Sequence, residues 1–311
     1  MERITFSKPD DSAGEYPEDY LVDQIEVAQL NDYLVAFYWK RDPDSVLFNA
    51  RVGGAAYVIF KDDQAIVYDT LLVPQQSKWM KQHLQSKYHL KHFTLVLSHG
   101  HADHVVGNYL YEGGPIIGHR LCRDRMIDRR KKYETGTLYP GLPPFRVVLP
   151  NEIIESRVDL YIGEILKVEL HHFRIHSNDH LLVYIPEDQI LLAGDALEDP
   201  VLLIFPTEIP CEVNRPEMER LLAMDIVTIF PNHGHWPTIN SGGYDKRFIT
   251  NMLQYNNEMR RRVYETDYLS GPVESYIGDA LAAGELHWWA PYHEAHQDNL
   301  NRVYAYYNPS P

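Results

Sequence analysis

The stretch LVLSHGHADHVVGN, residues 95–108, ends an apolar run with three histidines and an aspartate inside six positions. Imidazole and carboxylate are the side chains that zinc takes at neutral pH, and a hydrolytic zinc site keeps one coordination position open for water. His99 and His101 alternate, so an extended or loop backbone turns both to the same side. Asp103 and His104 are adjacent and must diverge. One such cluster can serve two metals side by side, the histidine pair on one and the Asp-His pair on the other. Each metal then needs further ligands. His176 lies just before a strand-like run, Asp195 ends the run ILLAGD, and His233 follows IVTIFPN. All three stand beside an expected strand terminus.

The elements that must hold these residues can be read from periodicity. Residues 24–40 give two β-runs around Asn31-Asp32, and AAYVIF (55–60) and AIVYDT (65–70) flank a second turn, KDDQ. Pro74 opens a helix with Trp79, Met80 and Leu84 at helical spacing. FTLVLS (93–98) is a short buried strand with the His/Asp cluster at its C-terminal end, where α/β proteins gather their functional loops. PIIGH (115–119) leads into a helix over 120–134, and 135–145 is rich in Pro and Gly. Strand-like runs return at 165–173, 181–186, 189–195 and 225–232. Helical patterns over 244–266, 272–283 and 293–307 close the chain. Strands in two batches with helices between them indicate two sheets under outer helices. The expected fold is α/β, an αββα sandwich of two mixed sheets. The expected organisation is a catalytic domain over 1–240 with a helical C-terminal extension, 241–311, packed on it.

Seven of these positions carry a resemblance. HGHADH resembles the HxHxDH signature of the metallo-β-lactamase fold superfamily. IHSNDHLLVYIPEDQILLAGDAL is similar to the segment that carries the family's third histidine and bridging aspartate, and FPNHG to its closing PGHG-type turn. By position, the resemblance implies that His99, His101 and His176 hold one metal and that Asp103, His104 and His233 hold the other. Asp195 would bridge them, and Asp69, ending AIVYDT, would support the signature loop. The chain has HSNDH where the family often has an HTPGH-like turn, so His180 stays the alternative to His176. The implied activity is metal-dependent hydrolysis by a hydroxide shared between two divalent ions, zinc expected, with iron and manganese as alternatives. Asp103 would orient that hydroxide or take its proton. The bond expected is an ester, lactone or thioester of a moderately apolar small molecule. The rivals are an iron-dependent persulfide dioxygenase and a nuclease or phosphodiesterase.

Other features are weighed against these. His171, His172, His235 and His119 are weaker ligand candidates than their neighbours. The basic run Arg120, Arg123, Arg125, Arg129, Arg130, Lys131, Lys132 reads first as a solvated helix face and second as an element recognising an anionic substrate end. His293 and His296 with Trp288, Trp289 and Tyr292 read as packing, and the apolar 201–210 as core or pocket floor. The net charge of −15 disfavours nucleic acid. Two cysteines, Cys122 and Cys211, make no disulfide framework. The first twenty residues show no apolar signal core, and no window is long enough for a membrane span. The expectation is a cytoplasmic protein acting on a small molecule, with a homodimer left open.

Overall fold

Short apolar runs between residues 25 and 68 fold into antiparallel hairpins in the computed structural model, which describes residues 23–163, 166–265 and 271–309. The N-terminal stretch read for a signal, position 165 of the expected strand and position 266 of the expected helix lie outside the described residues. The chain divides into two units, the first ending at His171 and the second beginning at His172.

In the first unit, β1 (Ile25–Asn31) and β2 (Leu34–Trp39) form a hairpin, as do β3 (Gly54–Lys61) and β4 (Gln64–Tyr68). Helix α1 (Phe48–Val52) lies between the hairpins, and α2 (Pro74–Lys87) follows β4 with proline in its first turn. From there the pairing becomes parallel through β5 (His92–Val96), β6 (Ile116–His119) and β7 (Glu152–Ile154), giving a seven-stranded sheet in sequence order. Every residue of β2 is buried, as expected of a strand covered on both faces. Helix α3 (Ala102–Val105) is a single turn, and α4 (Arg120–Glu134) buries Cys122, Met126 and Tyr133 on one side.

A second sheet has the order β12-β11-β10-β9-β8. Its strands are β8 (Arg157–Ile162), β9 (Leu166–Phe173), β10 (His180–Ile185), β11 (Ile190–Gly194) and β12 (Thr228–Pro231), and the unit boundary falls inside β9. Strands β7 and β8 had no sequence reading, although RVDLYI alternates polar and apolar residues at the strand period.

In the second unit, α5 (Cys211–Leu222), α6 (Trp236–Asn240), α7 (Arg247–Glu265), α8 (Glu274–Ala282) and α9 (Tyr292–Tyr307) complete the chain. Phe248, Met252, Tyr255, Met259 and Val263 of α7 are buried at steps of three and four, and α7 packs against α5, α8 and α9. Helix α5 was missed because Pro216 sits inside it and its charged residues hide the short apolar stripe. Among the described residues no helix is long and apolar enough to cross a membrane.

Candidate metal centre

In the first unit, β5 delivers the chain to Leu97 and Ser98, and the ligand-type residues follow in a turn that ends in α3. The single turn of α3 carries Asp103 and His104 at its second and third positions. His99, Asp103 and His104 are buried and His101 is half-buried. The rings of His99 and His101 meet edge to face, with Nε2 of His99 2.8 Å from Nδ1 of His101. Nε2 of His104 is 3.4 Å from Oδ2 of Asp103.

Asp69 orders this turn from outside it. Its Oδ1 accepts from the backbone N–H of Ser98 at 2.8 Å, and its Oδ2 lies 2.9 Å from Nδ1 of His104. With the carboxylate on Nδ1, that ring carries its proton there and turns the Nε2 lone pair toward Asp103. Asp69 reaches both partners from a left-handed backbone, φ +67°, a conformation tolerated by aspartate but still strained by about 1–3 kcal/mol. Ser98 Oγ stands 2.9 Å from Nδ1 of His99, so Nε2 is the outward atom of that ring too. Thr70 Oγ1 donates to the His104 carbonyl and accepts from Gly107 N–H. A Cβ on Gly107 would lie 2.5 Å from the Ser77 side chain, so the turn closes only with glycine.

Two further contacts come from residues that the sequence did not single out. Asn49 of α1 donates from Nδ2 to Oδ2 of Asp103 at 2.6 Å, and Tyr133 of α4 donates to the Gly100 carbonyl at 2.7 Å. Asn49 lies 54 positions from its partner, and nothing in FNARV marks it. Tyr133 was readable only as an apolar helix position.

In the second unit, β11 and β12 run parallel with Gly194 opposite Pro231, so both C-terminal ends open at one edge. Gly194, at φ +54°, turns the chain into Asp195. His233 follows β12 by two residues. Nε2 of His233 lies 3.5 Å, and Nε2 of His176 3.8 Å, from Oδ2 of Asp195. His176 sits in the turn between β9 and β10, with the Phe205 ring edge-on to it at 5.5 Å. His180 is buried at the start of β10, and its ring centre is 6.1 Å from that of His176.

The donor chemistry fits divalent ions. Carboxylate–imidazole separations of 3.4, 3.5 and 3.8 Å exceed an ordinary hydrogen bond. Two ligand atoms on a tetrahedral zinc with bonds near 2.0–2.1 Å stand about 3.3 Å apart, which these pairs approach.

Several other histidines have structural partners. His119 caps α4 by accepting from Leu121 N–H. His171 pairs with Glu169, His172 meets the Asn178 carbonyl, and His235 meets Thr238 and stacks on His287 at 3.9 Å. His296 is buried against Tyr255 and the Gly271 carbonyl.

The segment just after Asp195 is anchored within its own unit. Asp199 is fully buried and accepts from Tyr244 Oη, from the His287 backbone N–H and from His287 Nδ1, at 2.7, 2.7 and 2.9 Å. Its own N–H donates to the His233 carbonyl. Tyr292 Oη donates to Glu198 at 2.8 Å. Burial pushes the Glu198 carboxyl up to about 8; His233 opposes the rise and Asp195 adds to it.

A family profile described as the metallo-beta-lactamase superfamily matches residues 50–235, running across the division between the units. No curated protein matches. Among solved structures, a metallo-β-lactamase from Pontibacter korlensis aligns with TM-score 0.58 at 16% identity, over 74% of this chain and 99% of that one. VMB-1 aligns with TM-score 0.59 at 15% identity, over 76% and 98%. TMB-1 gives 0.60 at 14%, over 76% and 98%. At such identities these likenesses establish the fold, and the αββα class expected from the sequence is the fold they share.

Proposed function

The chain belongs to the metallo-β-lactamase superfamily, and from that premise we propose that it hydrolyses an ester, lactone or thioester of a moderately apolar small molecule. His99, His101 and His176 would hold one divalent ion and Asp103, His104 and His233 the other, with Asp195 shared; zinc is the first choice. The observation that carries this reading is the set of buried carboxylate–imidazole pairs held at ligand-to-ligand rather than hydrogen-bond separations. When bound, the two ions supply Lewis-acid activation of water and of the substrate carbonyl.

The chain's own residues do the rest. Asp69 fixes the His104 tautomer and the course of the turn, so Nε2 is presented without rearrangement. Asn49 orients the Asp103 carboxylate, which takes the proton from the attacking water. Ser98 Oγ holds the His99 ring from its Nδ1 side and so sets its orientation. The hydrolysis of acyl-homoserine and aliphatic lactones, glutathione thioesters and a cephalosporin, with and without chelator, tests the reading. Chelator-sensitive turnover of a lactone or thioester is expected. Oxygen uptake with one iron per chain, or turnover indifferent to chelator, would overturn it.

A further inference from the structure

Strand β12 ends at Pro231, so the sheet no longer holds the chain where it reaches His233. Three backbone bonds take over. Asn232 N–H donates to the Gly194 carbonyl at 2.9 Å, the His233 carbonyl accepts from Asp199 N–H at 3.1 Å, and His235 N–H donates to Tyr244 Oη at 2.7 Å. The last two of these meet in the Asp199 carboxylate. The Tyr244 hydroxyl accepts from His235 and donates to Oδ2 of Asp199 at 2.7 Å, so its proton has a fixed direction. His287 adds its backbone N–H on Oδ1 at 2.7 Å and its Nδ1 on Oδ2 at 2.9 Å, and its ring lies flat on that of His235 at 3.9 Å and 14°. Tyr244 is itself tied back to β12, its N–H and carbonyl both bonded to Ile229. Gly234, in the middle of the gripped turn, has no room for a side chain: a Cβ there would stand 2.8 Å from Pro231 Cγ and 3.3 Å from Tyr244 Oη.

We propose that Asp199 is a positioning residue for the metal ligand His233, and that Tyr244 and His287 of the C-terminal segment act through it to set where the His233 ring stands. The residues on either side of Gly234 are gripped by one connected set of bonds, so the backbone that carries the ring has little freedom to rotate. Asp199 is fully buried with three donors on its carboxylate, and any shift of it would leave those donors unmet. Holding a ligand ring in place beforehand raises metal affinity, because less ordering is left for the ion to impose. The separation preserved is the 3.5 Å between Nε2 of His233 and Oδ2 of Asp195. A brace that served folding alone would be indifferent to the ion. A clamp on the ligand's own backbone is not, since metal at His233 and the grip of His287 then strengthen each other equally. This inference rests on the reading of His233 as a metal ligand and is independent of which bond is hydrolysed.

The test measures zinc affinity by competition with a chromophoric chelator in the full chain, comparing wild type, Asp199→Asn, His287→Ala and Asn251→Ala. The Asn251 side chain bonds Glu285 at 3.0 Å and, among the described residues, no member of the clamp, so its loss reports general loosening of the C-terminal segment. Asp199→Asn is expected to bind zinc about 10–100-fold more weakly and His287→Ala about tenfold more weakly, with Asn251→Ala at the wild-type value even where its melting temperature falls. Amide exchange is the second readout: zinc should slow exchange of the His235 and His287 amides in wild type and do so less in His287→Ala. Should Asp199→Asn not fold, His287→Ala decides, because it keeps the carboxylate and its backbone donor. Wild-type zinc affinity in the clamp variants, an equal loss in Asn251→Ala, or exchange at those amides that ignores zinc overturns the proposal. Neither readout uses turnover, so a chain that binds zinc in this clamp-dependent way and hydrolyses nothing refutes the hydrolase reading and leaves the clamp.

Discussion

The two units carry ligand-type residues in opposite ways. The first concentrates four of them, His99 to His104, in one turn at the end of a single strand, and steadies that turn from outside with Asp69, Ser98, Thr70 and Tyr133. The second spreads His176, Asp195 and His233 over three separate turns, and lets the parallel register of β11 and β12 bring two of them together. A contiguous turn needs many small local props, whereas strand ends come prealigned by the sheet. The second unit instead spends its buried polar contacts on the segment after Asp195, where Tyr244, His287 and Tyr292 grip Asp199 and Glu198. The residues doing the gripping all lie beyond the family match, so the C-terminal segment acts as a brace for the segment after Asp195.

That contrast can be broken at either end. The largest effect is expected from Asp103→Asn, which removes the proton acceptor while keeping the shape. Turnover of any substrate found in the panel should fall by about 10²–10⁴ with an unchanged circular dichroism spectrum. Asp69→Asn should follow, lowering metal affinity or turnover by about 10–100-fold, because His104 loses the carboxylate that fixes its tautomer. A competition assay with a chromophoric chelator reads the affinity directly, and wild-type affinity in this variant would remove Asp69 from the role given to it. In the second unit, Tyr244→Phe deletes one of the donors to a buried carboxylate. A loss of about 2 kcal/mol in urea unfolding is expected.

A pH dependence is also expected in the metal-free protein. Glu198 sits at about 8 in the folded chain against an ordinary 4.5. A carboxyl raised on folding binds its proton more tightly when folded. Its contribution is therefore present below about 4.5 and lost as pH rises toward 8. Stability should fall across that window, and Glu198→Gln should flatten the fall. An equal slope in wild type and variant would assign the dependence to other groups.

How much of this was readable in advance follows the same division. The hairpins from 25 to 68 and the helix at Pro74 announce themselves by period and punctuation, since each is a local pattern with a local cause. The seven ligand-type residues stand out because imidazole and carboxylate at strand ends are costly to bury without a purpose. Their supports do not stand out. Asn49 acts across 54 positions, and Tyr133 looks like any apolar helix position until its hydroxyl meets Gly100. Pairing Asp199 with Tyr244 and His287 requires knowing that the C-terminal helices return to this segment, which no sequence period records. Strand β7 is only three residues long, too short to show a period, whereas β8 was legible from the alternation in RVDLYI.

Asp195 is the residue on which the proposed binding of two ions depends. Metal content per chain, measured on purified wild type and Asp195→Ala after dialysis against zinc, addresses that dependence most directly. Two ions in the wild type and fewer than one in the variant is the predicted result. Two ions retained without Asp195, or none bound with it, would contradict it.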